Sequence, residues 1–366
     1  MKVEADVTDP LDAQLLPRVD GLLRVCLILP QSGPLGMTGP SALDAALLAA
    51  HEANVTGGVC GRRVDLVLVD GGRAPKDVAD DVRRLRDSGA VDVVTGFHTS
   101  DVHRAIGAVT AGHIPYVFTP PHEGGPRVPG VLCIGMDPLS QLREPMAWIT
   151  AHHKARSWAL VGNDYIWPRS VHKVAGHIVA NLGGRVVFER RVPLGSARAS
   201  VDQVVDELRH SGADAVLLSL IGRDLATFNT ALRHSGLDRS LVRLSPALEE
   251  NGLMAVGGDR SGLLYASMAS FATLDDDRRF DLLQRHRAVL GPDAPVLDAY
   301  AEGVYDGVRL VTLLATEQAL TPSRVANGAG RMGSTARRTP HLALADGLDF
   351  VVLSTDKTLP FGNKLS

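Results

Sequence analysis

Aromatic residues are scarce in this chain of 366 residues: 3 Trp, 5 Tyr and 8 Phe make up only 4% of it. A core with so few rings must be filled by Val, Leu and Ala, which suits buried parallel strands covered by alanine-rich helices. Cysteine is rarer still. Cys26, Cys60 and Cys133, an odd count with no paired spacing, exclude a disulfide framework and a zinc motif and are expected to be buried free thiols. No run of about 18 apolar residues occurs, so no segment is expected to span a membrane. An excess charge is missing too: 38 Lys and Arg against 41 Asp and Glu give a net charge of -3. Basic pairs such as Arg62-Arg63 and Arg337-Arg338 are isolated, which argues against nucleic acid or an anionic membrane as partner. Met1 to Asp12 lacks the basic start and the apolar core of about 7–15 residues of a secretory signal. As given, the chain is expected in the cytoplasm, and a signal removed ahead of Met1 would place it in the periplasm or at the cell surface.

What is present is a repeated alternation of apolar runs and amphipathic segments. The length favours two lobes over one core. After an arm at residues 1–20, expected to be poorly ordered, strands are expected at Leu23–Leu29, Val64–Val69, Val91–Thr95, Ile114–Phe118 and Val131–Ile134. Helices at Thr38–Asn54, Pro75–Asp87 and Asp101–Ala111 fall between them, the rhythm of a parallel sheet with helices on both faces. The rhythm then restarts with a helix at Pro138–Lys154, a strand at Ser157–Val161 and a helix at Ser170–Leu182. Strands follow at Arg185–Phe188, Ala215–Leu218, Leu241–Leu244 and Leu263–Met268, with helices at Ser200–His210, Asp224–Arg233, Arg278–Val289 and Asp298–Thr316. Thr321–Arg338 is expected as a mobile loop. His341–Ala345 and Asp349–Leu353, split by Asp346-Gly347, should form a closing hairpin. The expected fold is α/β: two Rossmann-like lobes with parallel sheets, joined by several hinge crossings, with a ligand cleft between them. Residues 21–137 plus 272–320 are assigned to the first lobe, and 138–271 plus 321–366 to the second.

Polar loops follow the strands, where ligands bind in open α/β sheets. The most informative is Gly162-Asn163-Asp164-Tyr165-Ile166-Trp167-Pro168-Arg169, which sets an amide, a carboxylate and two rings together; helix capping alone would also account for the Asn-Asp pair. Pro30 to Gly39 brings glycines to a helix start but has neither the P-loop ending nor the dinucleotide fingerprint. Gly96-Phe97-His98-Thr99-Ser100 offers hydroxyls and helix-start amides to a ligand oxygen, or caps its own helix. Thr119-Pro120-Pro121-His122-Glu123 adds polar groups on a loop stiffened by proline. His98, His103, His122 and Glu123 invite a metal or acid/base reading, but their spacing is not His-Glu-x-x-His. A hydrolase of a small amide through His98, His122 and Glu123 is the alternative function. Ser219 to Asp224 and Ser245 to Glu250 close the set; Glu249 could pair with a ligand nitrogen or serve as an acidic first helical turn.

In this order the loops resemble the type I periplasmic-binding-protein family, in its leucine/isoleucine/valine-, urea- and aliphatic-amide-binding branch. The resemblance runs from about Leu22 to Leu353 and is most specific at Gly162-Asn163-Asp164-Tyr165 with Trp167-Pro168-Arg169. It implies a non-catalytic protein that closes over a small polar solute, an amide, a urea-like compound or an amino acid. Carried over by position, it implies ligand contacts from His98, Thr99, Ser100, Thr119, His122, Tyr165, Trp167, Gly222 and Glu249. The resemblance implies no cofactor and no metal. Its implied partners are the solute, either a regulatory protein or an ABC permease, and a second copy of the chain as a candidate homodimer. The sequence departs from the family at Ala247, where amino-acid binders carry an acid, and at His98, where the sensor branch has tyrosine.

Overall fold

The computed structural model describes residues 3–15, 20–125, 128–328 and 339–353. Two compact units emerge, residues 1–137 with 275–338 and residues 138–274 with 339–366.

The first unit opens with β1 (Asp6–Thr8), α1 (Pro10–Leu15), β2 (Leu22–Leu29), α2 (Gly39–Val55), β3 (Arg63–Asp70), α3 (Pro75–Asp87) and β4 (Val93–Gly96). It continues through α4 (Ser100–Thr110), β5 (Tyr116–Phe118) and β6 (Val131–Cys133). All six strands are parallel, in the order β1-β3-β2-β4-β5-β6. Because both faces are covered, the central strands read as apolar runs: Leu23 to Leu29 is buried throughout, and its one charge, Arg24, is paired with Asp65. One core cluster gathers Cys26, Ile28, Val67, Val94, Ile106, Tyr116 and Phe118. Cys26 is buried as expected, whereas Cys60 is exposed at a turn with φ of 52° and Cys133 is half-buried.

The second unit holds α5 (Pro138–His153), β7 (Ser157–Asn163), α6 (Ile166–Asn181), β8 (Arg185–Val192), α7 (Ala197–His210) and β9 (Ala215–Ser219). Then come α8 (Gly222–Ser235), β10 (Val242–Ser245), α9 (Glu250–Val256) and β11 (Leu264–Met268). The chain returns to the first unit for α10 (Asp277–Leu290), α11 (Ala299–Thr316) and α12 (Pro322–Gly328), and ends the second with β12 (His341–Asp346) and β13 (Asp349–Leu353). The second sheet runs β13-β12-β11-β10-β9-β7-β8, parallel except for the terminal hairpin. Asp346 pairs with Asp349, so Gly347 and Leu348 form the two-residue turn, and Gly347 supplies the positive φ of 66°.

Three expectations are corrected. Residues 3–15 are not a loose arm: β1 pairs with β3, Thr8 donates to Asp65, and Ala13 is buried. Part of the expected loop at 321–338 is α12, which packs against β6 in the first unit; residues 329–338 lie outside the described set. The helix expected from Ser170 begins at Ile166, because proline is tolerated in the first helical turn and Pro168 does not end it.

Candidate functional site

In the first unit the loop after β4 is shaped by Gly96. Its φ is +153°, and a Cβ there would stand 2.0 Å from the Ile28 carbonyl oxygen, so only glycine lets β4 turn so tightly against β2. Thr99 is the N-cap of α4 with extended backbone, yet its side chain makes no capping hydrogen bond. Ser100 is buried, and its hydroxyl hydrogen-bonds Glu123, which also accepts from Arg104 Nε at 2.9 Å. Burial opposes ionisation of Glu123, but hydrogen bonds from its own backbone N–H, Arg104 and Ser100 outweigh it and hold the carboxyl below its usual range. Thr119 is buried beyond β5 and donates its hydroxyl to the Gly96 carbonyl at 3.1 Å, tying the two loops together. His122 is half-buried, with Nδ1 accepting from the Gly124 N–H at 3.0 Å.

His98 does not stand open to a ligand. It is 2% exposed, Nδ1 lies 3.2 Å from the Thr99 carbonyl, and Nε2 lies 3.0 Å from the Tyr116 hydroxyl. His98, His122 and Glu123 each contact the loop scaffold: His98 meets the Tyr116 hydroxyl, His122 the Gly124 N–H and Glu123 the Arg104 guanidinium. Among the described residues no group of three or more His, Cys, Asp or Glu side chains gathers as a metal site would.

In the second unit the informative loop divides into a polar scaffold and a pair of rings. Asn163 is fully buried; its Nδ2 donates to Asp224 at 2.6 Å and its Oδ1 accepts from the Ile221 N–H at 3.0 Å. Asp224 also accepts from the N–H groups of Gly195 and Ala197, so it joins the loops after β7, β8 and β9. Asp164 is held by Arg169 at 3.0 Å. The amide and carboxylate of the motif thus build the loop, and the rings remain. Tyr165 is the N-cap of α6 and Trp167 lies in its first turn, 6% and 4% exposed. The indole Nε1 of Trp167 is buried with no acceptor. Gly222 starts α8 with φ of +49°, a backbone need rather than a side-chain contact. Glu249 caps α9, its carboxylate accepting from Asn251 and Gly252 N–H at 2.6 and 2.9 Å.

Two groups went unweighted in the sequence. His172 stands between Ser219 and Glu189, with Nε2 2.9 Å from the Ser219 hydroxyl and Nδ1 3.0 Å from Glu189; burial pushes its pKa down against the pull of Glu189. Gly162 is the residue that admits this contact, since a Cβ there would lie 2.2 Å from Ser219 Oγ. Tyr116 is the other, joining His98 to His103. Its place in an apolar run hid its hydroxyl.

Two α/β units built on mostly parallel sheets, each with polar loops after its strands, make up the chain. The periplasmic binding protein family model matches residues 23–337, and the chain belongs to that family of solute-binding proteins. A periplasmic binding protein from Burkholderia mallei superposes with a TM-score of 0.77 at 17% identity, covering 91% of this chain and 94% of that one. A branched-chain amino acid transporter substrate binding protein from Streptococcus pneumoniae, in complex with isoleucine, gives a TM-score of 0.72 at 16% identity over 91% and 100% of the two chains. A solute binding protein of an ABC transporter from R. palustris, in complex with benzoate, gives 0.72 at 17% identity over 91% and 96%. No helix among the described residues is long and apolar enough to cross a membrane.

Proposed function

We propose that the chain binds a small solute through a carboxylate or amide oxygen, without chemical turnover, as the substrate-binding component of an ABC-type transporter. The observation that carries the oxygen assignment is the Trp167 indole N–H, buried in the first turn of α6 with no acceptor. A buried donor left unpaired costs about 1–3 kcal/mol, so a ligand that supplies an acceptor regains that penalty. The N-terminal amides of α4, beside an N-cap whose hydroxyl does not close them, suit an oxygen in the same way. Isoleucine and benzoate, bound by two of the structural relatives, both carry a carboxylate. Thr99, Ser100, Thr119 and His122 are the proposed contacts of the first unit, and Tyr165, Trp167 and the Gly222 backbone those of the second.

The transporter role carries a permease as partner and a periplasmic location; a ligand sensor acting on a regulatory protein is the second role compatible with the same binding. A thermal-shift screen against amides, ureas, amino acids and aromatic carboxylates, with mass spectrometry of the recovered compound, tests the reading. A solute at a hundred times its dissociation constant should stabilise by about 2.7 kcal/mol. Unchanged solute and a shift lost in Ser100→Ala support binding, whereas consumed solute overturns it.

A further inference from the structure

Three polar side chains of the first unit stand in a buried row behind the α4 loop. The Thr99 carbonyl lies 3.2 Å from His98 Nδ1, His98 Nε2 lies 3.0 Å from the Tyr116 hydroxyl, and that hydroxyl lies 2.9 Å from His103 Nδ1. His98 is 2% exposed, Tyr116 0% and His103 8%. Phe118 packs on both imidazoles, at centroid distances of 5.1 and 4.0 Å, and keeps water from the row.

The proton positions follow from the partners. A carbonyl only accepts, so His98 Nδ1 carries the hydrogen, and a neutral ring then offers a lone pair at Nε2. The Tyr116 O–H must donate to that lone pair, and its oxygen is left to accept from His103 Nδ1–H. Burial pushes the pKa of His98 down to about 3, with the neighbouring His103 adding to the effect. His103 falls to about 4, again through burial first, with Glu123 opposing and His122 and Arg104 assisting. The Thr99 carbonyl is held from a second side, since it also accepts the His103 backbone N–H at 2.9 Å.

We propose that His103, Tyr116 and His98 form a one-directional hydrogen-bond relay that positions the Thr99–Ser100 turn, so that all three act on the solute through the loop and not by touching it. The proposal rests on the reading that the first turn of α4 meets the solute. It reassigns His98 from ligand contact to positioning residue and adds Tyr116 and His103, which no solute contact requires.

The test needs no solute, so it separates from the binding screen. Nitrogen-15 NMR of the histidine rings in the full chain should show His98 and His103 both as the Nδ1–H tautomer, the less common one in water. Neither should titrate between about pH 8 and about pH 5.5. In Tyr116→Phe, amide exchange at Ser100–Val102 should rise by up to about tenfold, the factor that one lost hydrogen bond corresponds to. His103→Asn, which keeps an N–H near the Tyr116 oxygen, should preserve the slow exchange that His103→Leu loses. An Nε2–H tautomer in either ring, titration near pH 6.5, or unchanged exchange in a folded Tyr116→Phe would each overturn the relay. A failed solute screen would leave it standing.

Discussion

Acidifying the solution from about pH 7.5 to about pH 5 should destabilise the first unit by about 4 kcal/mol, through two buried histidines. Burial is the main cause that takes His98 from 6.5 down to about 3 and His103 down to about 4. At pH 5 both stay neutral in the folded protein, whereas in the unfolded chain they take up protons below about pH 6.5. Acid therefore favours the unfolded state. The stability is fully present above pH 6.5 and is lost as the pH falls toward the folded values. At pH 5 the gap is about 1.5 units for each ring, or about 2 kcal/mol each at 1.36 kcal/mol per unit. His286, also lowered by burial, acts in the same direction. Carboxyls held below their usual range, such as Asp70 and Glu123, contribute only in stronger acid, so the window from about pH 6.5 to about pH 5 isolates the histidines. Urea unfolding followed by circular dichroism in half-unit pH steps would give the slope: about two protons from His98 and His103 at the acid end, with His286, His172 and His153, also lowered by burial, adding to it. His98→Asn keeps an N–H directed at the Thr99 carbonyl but removes one titrating group, and the slope should fall by about one proton. A midpoint constant across this window, or rising in acid, would refute the reasoning.

Three further outcomes are expected. Gly162→Ala should lower stability by about 1–3 kcal/mol in thermal unfolding, because the added Cβ would meet Ser219 Oγ at 2.2 Å and His172 Nε2 at 2.9 Å in a packed loop. Asp259→Ala should cost about 3–5 kcal/mol, since Arg243 lies 3.0 Å away with both side chains nearly inaccessible, and an uncompensated buried guanidinium would remain. An unchanged melting temperature in Asp259→Ala would contradict that burial. Trp167→Phe keeps the ring but removes the orphaned N–H, so apo stability should hold or rise while solute affinity, read by calorimetry, falls by about 1 kcal/mol or more.

The architecture was legible because a parallel strand buried on both faces is nearly all apolar, as Val25–Leu29 and Ala215–Leu218 are. The elements that escaped have no such pattern. β1 is three residues long and polar in part; it exists because β3 offers it a ladder and Asp65 accepts from Thr8, which are tertiary facts. α12 is a short helix without an apolar stripe long enough to recognise, stabilised against β6. β8 runs four residues past its expected end because Glu189 pairs with His172, Arg190 with Glu207 and Arg191 with Asp164 along an edge, where charge replaces an apolar signal.

The candidate site was less legible than the fold, because division of labour within a polar loop leaves no sequence pattern. Open α/β sheets place polar loops at their strand ends, yet a sequence shows only that a loop is polar, not which of its polar groups are already satisfied. Asn163 and Asp164 drew attention as an amide and a carboxylate ready for a ligand, and both are consumed in holding their loop. Glu249 is consumed by its own helix in the same way. A buried polar group must be paired, so Asn163 and Glu249, once paired within the chain, have less to gain from a solute. The converse identifies what a solute would value: a donor whose burial is complete and whose partner is missing. Trp167 meets both conditions, and periodicity and composition could not have distinguished it from a core tryptophan such as Trp158, which is equally buried. The difference lies in where the indole nitrogen sits, at the start of α6 beyond the end of β7, where the fold leaves donors unmatched.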